Sequence, residues 1–183
     1  MRIAVVTSNR HKAEEVASFF AGVAEVEHIS LDIPEYRDND VRNIAREKAR
    51  YAWGQVRRSL IVDDTAFSID ALNGFPGPYA AYVQGTIGNE GVLRLMAGRT
   101  DRKAHFETAI AYADEAGEVR VFSGIVEGEV TDAPRGCDGF GYDPIFAVGG
   151  RTFAEIPLAE KNLISHRARA LAAFRAWLED QYP

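Results

Sequence analysis

The chain is short of cysteine, of positive charge and of long apolar runs, and each shortage removes a class of explanation. Cys137 is the single cysteine among 183 residues. No internal disulfide and no cysteine-based zinc site can form, so a cytoplasmic setting is expected. Lysine and arginine total 21 against 27 acidic residues, a formal net charge of -6. A broad nucleic-acid surface needs clustered positive charge, so no nucleic-acid partner is expected. A pocket with a few lysines or a metal ion can still reverse the sign locally and take a small anion. No apolar run reaches the roughly 18–20 residues that span a bilayer, so no membrane partner is expected either. The opening MRIAVVTSNRHK turns polar after one short apolar run. It reads as a first strand and not as a signal peptide. Repeats, low-complexity tracts and long linkers are also missing. What is present is 46% hydrophobic, too apolar for a disordered chain. The length suits one domain over residues 1–183, with two lobes sharing a core.

The pattern along the chain is α/β with a mixed sheet. Arg2–Thr7 reads as a buried strand. A helix over about Arg10–Ala21 follows, capped by Asn9 and ended by Gly22. Ala24–Leu31 alternates as a strand, and Pro34 then breaks the chain. The spacing predicts a helix over Val41–Val56 whose apolar stripe contains Lys48. That lysine either snorkels outward or borders an anion-filled cleft. Leu60–Val62 reads as a short strand ending in Asp63-Asp64. LNGFPGPY, over 72–79, must be a loop, and Asn89 to Gly98 a short capped helix. His105–Ala113 and Val119–Val130 form a hairpin. A second Gly/Pro-rich loop covers 133–146, and the last helix begins near Ser165.

Five segments can carry chemistry. Thr7-Ser8-Asn9-Arg10-His11-Lys12 joins a strand end to a helix start, where backbone N–H groups and the helix dipole favour an anion. The same residues also serve as a simple cap, and the glycines of a Walker P-loop are absent. Asp63-Asp64-Thr65 follows a strand, where ligands gather in open α/β sheets. Alternation sends the two aspartates in opposite directions, so one is expected to face the cleft. An aspartate there can hold Mg²⁺ or deprotonate a water; its bland alternative is a solvated turn acid. Glu35 matters if the fold brings it to Asp64 as a second metal ligand. In Gly139-Phe140-Gly141-Tyr142-Asp143-Pro144 the flanking glycines leave Phe140 open for stacking on a base. Asp143 can accept hydrogen bonds there; alternatively, the aromatics plug a core. Lys161, and His166-Arg167 after Ser165, can read a carbonyl oxygen on a base, against a plain Ser cap with two exposed basic side chains.

Together these blocks resemble the inosine triphosphate pyrophosphatases, which hydrolyse non-standard purine nucleoside triphosphates such as ITP, dITP and XTP. The resemblance is collinear from Thr7 to Arg169. TSNRHK is similar to the family's Thr-x-Asn-x-x-Lys opening, and IVDDTAF to its acidic strand end. LNGFPGPYAAYV, RGCDGFGYDPIF and TFAEIPLAEKNLISHRARAL are similar to its later blocks. Ser8 replaces a frequent Gly, Tyr142 an occasional Trp, and Asp63 an occasional Glu. The resemblance implies a long mixed sheet flanked by helices, two lobes with an active-site cleft between them, and a homodimer. It implies that residues 7–12 and Lys48 hold the triphosphate, that Glu35 and Asp64 bind Mg²⁺, and that Asp64 acts on the attacking water. Asp63 would support Asp64, and Thr65 would touch the substrate. Phe140 would stack on the purine, with Gly141, Tyr142 and Asp143 completing the pocket. Lys161, His166 and Arg167 would contact the base at its 6-oxo oxygen.

The expected activity is therefore Mg²⁺-dependent conversion of a non-standard purine triphosphate to the monophosphate and pyrophosphate. Its alternatives are a related pyrophosphatase for modified pyrimidine or broader triphosphates, and a nucleotide sensor that binds without hydrolysis. A purely structural dimerisation domain leaves the collinear polar blocks unexplained.

Overall fold

The computed structural model describes residues 2–181. Among them, eight strands form one mixed sheet with six α-helices around it. β1 (Arg2–Val6) lies parallel to β2 (Glu25–Ile29) and to β3 (Leu60–Ile69). β4 (Pro76–Gly77), β5 (Lys103–Ala113), β6 (Val119–Val130), β7 (Phe146–Val148) and β8 (Arg151–Thr152) are antiparallel to their neighbours. Their order is β2-β1-β3-β5-β6-β7-β8, with β4 paired to β3.

Period-two alternation divides the apolar residues between the two faces of the sheet. On one face Ile3, Val5 and Ile61 pack with Val16 of α1 (Arg10–Phe19), with Phe20 just after it, and with Leu171, Phe174 and Leu178 of α6 (His166–Gln181). On the other, Ala4, Val6, Leu60 and Val62 meet Ala45, Ala49 and Ala52 of α2 (Val41–Val56). A third cluster, with Phe67, Phe106, Phe146 and Phe153, lies toward the far end of the sheet. It is covered by α3 (Ala80–Thr86) and α4 (Gly88–Leu95).

The helix over Val41–Val56 and the strand over Val119–Val130 have the expected bounds. β3 does not. It was expected to end at Val62 but runs to Ile69, paired with β5 residue by residue from Leu60↔Ala113 to Ile69↔Ala104. The 72–79 loop contains the two-residue strand β4, and two short helices were not anticipated, α3 and α5 (Leu158–Ile164).

The long β3 is what creates the site. β1 meets it at Val5↔Ile61 and then leaves for α1. β4 takes up the same role only at Phe67↔Gly77 and Ser68↔Pro76. Between these points Asp63, Asp64 and Thr65 pair with β5 on one side and border an open cavity on the other.

Candidate active site

The cavity has a volume of about 550 Å³, enough for a small ligand. All the expected site residues except Arg10 line it. Arg10 is exposed, and its Nε donates to Glu14 at 2.8 Å. One wall combines the start of α1 with the middle of β3. Leu31, Ile33, Pro78, Ala80 and Ala81 add apolar lining.

At the α1 end, Asn9 is the helix cap. Its Oδ1 accepts from the backbone N–H groups of His11 at 3.0 Å and Lys12 at 3.3 Å. Asn9 N donates to Thr7 Oγ1 at 3.1 Å. The cap alternative is met, and the same turn opens on the cavity.

Alternation does send the two aspartates apart, yet both border the cavity. Asp63 is fully enclosed and lies 2.7 Å from Lys12 Nζ and 2.6 Å from Arg167 Nε. Burial opposes its charge, but Arg167 and Lys12 prevail and hold the carboxyl well below the usual range. Asp64 sides with α2, its Oδ2 3.0 Å from Lys48 Nζ. Thr65 Oγ1 shares a 2.8 Å hydrogen bond with Thr108 Oγ1.

Lys48 therefore borders the cleft as a half-buried residue. The ammonium also lies 2.9 Å from Glu35 Oε2. Burial alone would lower its pKa; Asp64 and Glu35 raise it. The expectation that the fold brings Glu35 to Asp64 is met through this shared cation. Two carboxylates that converge on one positive point suit a divalent cation that takes its remaining ligands from phosphate and water, as Mg²⁺ prefers. No group of three or more His, Cys, Asp or Glu side chains able to hold a metal occurs among the described residues. Glu35 and Asp64 would thus act together with ligand oxygens and not as a closed protein cage.

At the other end, the expected alternative of exposed basic residues is wrong. Lys161, His166 and Arg167 are all buried. The Ser cap is present as well: Ala168 N donates to Ser165 Oγ at 3.1 Å. Lys161 Nζ lies 2.6 Å from Glu15 Oε1 and 2.7 Å from Asp143 Oδ2. Arg167 joins Glu15 to Asp63. The result is a chain of alternating charge, Lys12–Asp63–Arg167–Glu15–Lys161–Asp143, buried except at the half-buried Lys12. Burial would raise Glu15, but Arg167 and Lys161 hold it below its ordinary value. Burial keeps Asp143 above its own despite Lys161. His166 is stacked on Phe106 at 4.5 Å. Burial first, then the charges of Arg167 and Lys161, push its pKa well below 6.5, so the ring is neutral at pH 7.

Phe140 is half-buried at the cavity edge and stacks on His11, with centroids 5.2 Å apart and planes within 13°. His11, expected among the phosphate-loop residues, therefore reaches the aromatic end of the cleft. Tyr142 lines the cavity from within the aromatic core, 4.6 Å from Phe67, with its hydroxyl donating to Ala80 O at 2.7 Å. Tyr142 thus fits the core-plug alternative, while Phe140 stands at the cavity edge against His11.

Sequence reasoning missed Glu15, Thr108 and Gln84. Only Glu15 carried a signal: an acid one position before Val16 and four before Phe19, within the apolar face of α1.

A model of the Ham1 family matches residues 3–177. A dITP/XTP pyrophosphatase of Thermococcus kodakarensis is 44% identical, with 98% of each chain covered. One from Pyrobaculum aerophilum is 45% identical, over 99% of this chain and 98% of its own. Among solved structures, a HAM1 protein of Coxiella burnetii superposes with a TM-score of 0.83 at 32% identity, over 97% of this chain and 99% of its own. A nucleoside-triphosphatase, dITP/XTP pyrophosphatase, of Mycobacterium abscessus gives 0.70 at 35% identity, over 97% and 100%.

Proposed function

The chain belongs to the Ham1 family, and from that premise we propose that it is a nucleoside triphosphate pyrophosphatase. It converts non-standard purine triphosphates, ITP, dITP and XTP, to the monophosphate and pyrophosphate, and so cleanses the nucleotide pool. The observation that carries this reading is one cavity lined by cationic and polar groups at the α1 start, by two carboxylates around Lys48 and by a donor-rich aromatic end.

The triphosphate lies against Thr7, Ser8, Asn9 and Lys12, at the positive end of the α1 dipole. His11 flanks this turn, and Arg10 adds charge from outside the cavity. Lys48 exchanges its carboxylate partners for phosphate oxygens. Glu35 and Asp64 would hold Mg²⁺, which when bound neutralises charge on the triphosphate. Asp64 also accepts a proton from the attacking water. The water oxygen bonds to the α-phosphorus, the bond from that phosphorus to the bridging oxygen breaks, and pyrophosphate leaves with the bridging oxygen. Asp63 takes no proton; it holds Lys12 and Arg167 in place, and Thr65 contacts the substrate.

Phe140 stacks on the purine, with Gly141, Tyr142 and Asp143 closing the pocket. An ammonium has three donors, and Lys161 uses two of them on Glu15 and Asp143. The third, with Arg167 and His166, meets a 6-oxo oxygen. Adenine would turn an amine toward these donors, a mismatch of about 1–3 kcal/mol in a dry pocket.

The same reading makes residues 1–183 one pyrophosphatase domain, working in the cytoplasm as a homodimer. Support for the dimer comes from exposed apolar side chains around α3, notably Tyr82 at 73% and Ile87 at 45%. Light scattering on the purified protein checks the assembly.

The test of function is pyrophosphate release from a panel of natural and deaminated triphosphates, with and without Mg²⁺. Release from ITP and XTP in Mg²⁺, well above that from ATP, is expected. Asp64→Asn should lower kcat by about 10²–10⁴-fold while the melting temperature holds. No release from any deaminated triphosphate sinks the proposal, and near-normal turnover by Asp64→Asn removes its assignment.

A further inference from the structure

The loop that carries Phe140 is tied down from two sides. On the α5 side, Asp143 accepts from Phe140 N at 2.9 Å and from Lys161 at 2.7 Å. On the other, the Gly141 carbonyl accepts from two side-chain amides at once. Asn89 Nδ2 donates at 3.0 Å and Gln84 Nε2 at 3.3 Å. They reach it from the start of α4 and the body of α3, 52 and 57 residues away in sequence. The Tyr142 hydroxyl makes a third tie to the same wall, at Ala80 O.

The two amides are an unusual way to hold a loop. Gln84 Oε1 and Asn89 Oδ1 are both buried, and neither has a partner among the described residues. An unpaired buried acceptor is destabilising, and apolar side chains of similar shape would avoid the loss. The orientation is nevertheless forced. Turning either amide over would set its oxygen against the Gly141 carbonyl. What the arrangement secures is the direction of the Gly141–Tyr142 peptide plane, one residue beyond Phe140. Gly141 has φ of +61°, so its backbone direction is not held by an ordinary extended or helical preference. Something outside the loop must hold it.

We infer that Gln84 and Asn89 are positioning residues for the nucleobase: by clamping the Gly141 carbonyl they hold the Phe140 ring where the purine stacks. The inference rests on the pyrophosphatase reading. Neither residue does chemistry, and neither is part of the phosphate end. The clamp links α3 and α4 to the loop that carries the stacking ring.

The test separates the two ends of the substrate. KM is measured with ITP, and inorganic tripolyphosphate serves as an inhibitor that occupies the phosphate end alone. Asn89→Asp and Gln84→Glu keep the shape but aim a carboxylate oxygen at the carbonyl. Asn89→Ala and Gln84→Met remove the donor and the orphan oxygen together, and they carry the test if the acidic variants fold poorly. Asn89→Asp should raise KM for ITP roughly tenfold and Asn89→Ala roughly threefold, a step the size of one lost hydrogen bond or a little more. The tripolyphosphate inhibition constant should stay within about twofold, because no phosphate contact changes. In a Phe140→Leu background Asn89→Asp should add little, since both act through one ring. Unchanged KM in all four variants, a parallel rise in the tripolyphosphate constant, or full additivity with Phe140→Leu would each overturn the clamp. Wild-type protein that hydrolyses no triphosphate overturns the functional reading, and the clamp with it. Wild-type turnover with indifferent variants overturns the clamp alone.

Discussion

Lys161 shows how much one side chain can be asked to do. Its ammonium is almost wholly enclosed between Glu15 and Asp143. Replacing it with methionine keeps the stem and removes the charge. Asp143 then remains buried without its cation, while Glu15 keeps only Arg167, a loss of about 3–5 kcal/mol for a broken buried pair. At about 2–4 °C per kcal/mol for a chain of this size, Lys161→Met should melt roughly 10 °C lower. Adding Asp143→Asn, which removes the orphaned charge, should recover part of that drop. A single variant as stable as wild type would mean that the charge chain contributes nothing to folding. The basic residues of this chain were legible in the sequence as candidates, but their burial was not. Lys161, His166 and Arg167 look like solvated residues around a Ser cap because their acidic partners lie far away in the chain. Arg167 is 152 residues from Glu15 and 104 from Asp63. Lys48 was easier to notice because it interrupts an apolar stripe within one helix.

Elements were legible where their own periodicity was strong. Val41–Val56 has sixteen residues of helical spacing and a capping Asp40. The length of β3 was hidden because Asp63 and Asp64 mimic a strand end; they are tolerated within the strand because Lys12, Arg167 and Lys48 compensate them. α3 and α5 are seven residues each, too short for a clear pattern. Gly124 tests how one element positions another. A Cβ added there would stand 2.4 Å from His166 O and 2.5 Å from Ala170 N, so the backbone of α6 rests directly on β6. Gly124→Ala must push the start of α6 off the sheet, and that turn carries His166 and Arg167. Overpacking of this kind costs about 1–3 kcal/mol. We expect a lower melting temperature together with a raised KM for ITP, whereas Gly54 of α2, with open space around it and no positive φ, should leave KM unchanged when replaced by alanine. If Gly124→Ala has wild-type KM and stability, the close packing of α6 on β6 does not set the base end of the site.

For the whole molecule, the net charge of -6 conceals a cleft whose cations are concentrated and paired, and this pairing makes stability depend on pH. The sign follows from each group. His166 is neutral when folded, with a pKa pushed well below 6.5 by burial and by Arg167 and Lys161. Below about pH 6.5 the unfolded chain binds a proton there that the native state refuses, so stability falls as pH falls. Asp63 and Glu15 are held below their ordinary values by their cations. Their contribution is present above the ordinary carboxylate range and is lost on further acidification. Asp143 works the other way, since burial raises it and the native state takes that proton first. The decline should therefore come in two stages. Between pH 7 and 5.5 His166 acts nearly alone, at about 1.4 kcal/mol per pH unit once its two states are fully separated. That corresponds to a melting point lower by roughly 3–5 °C. Below pH 4 the loss of Asp63 and Glu15 pairing should be steeper. Calorimetric scans across this range check both stages, and His166→Gln should abolish the first while leaving the second. A wild-type melting temperature that stays flat from pH 7 to 5.5 would show that His166 accepts its proton inside the folded protein. Its ring would then be a cation in the cleft, and the base end would carry one more positive charge than the geometry here assigns it.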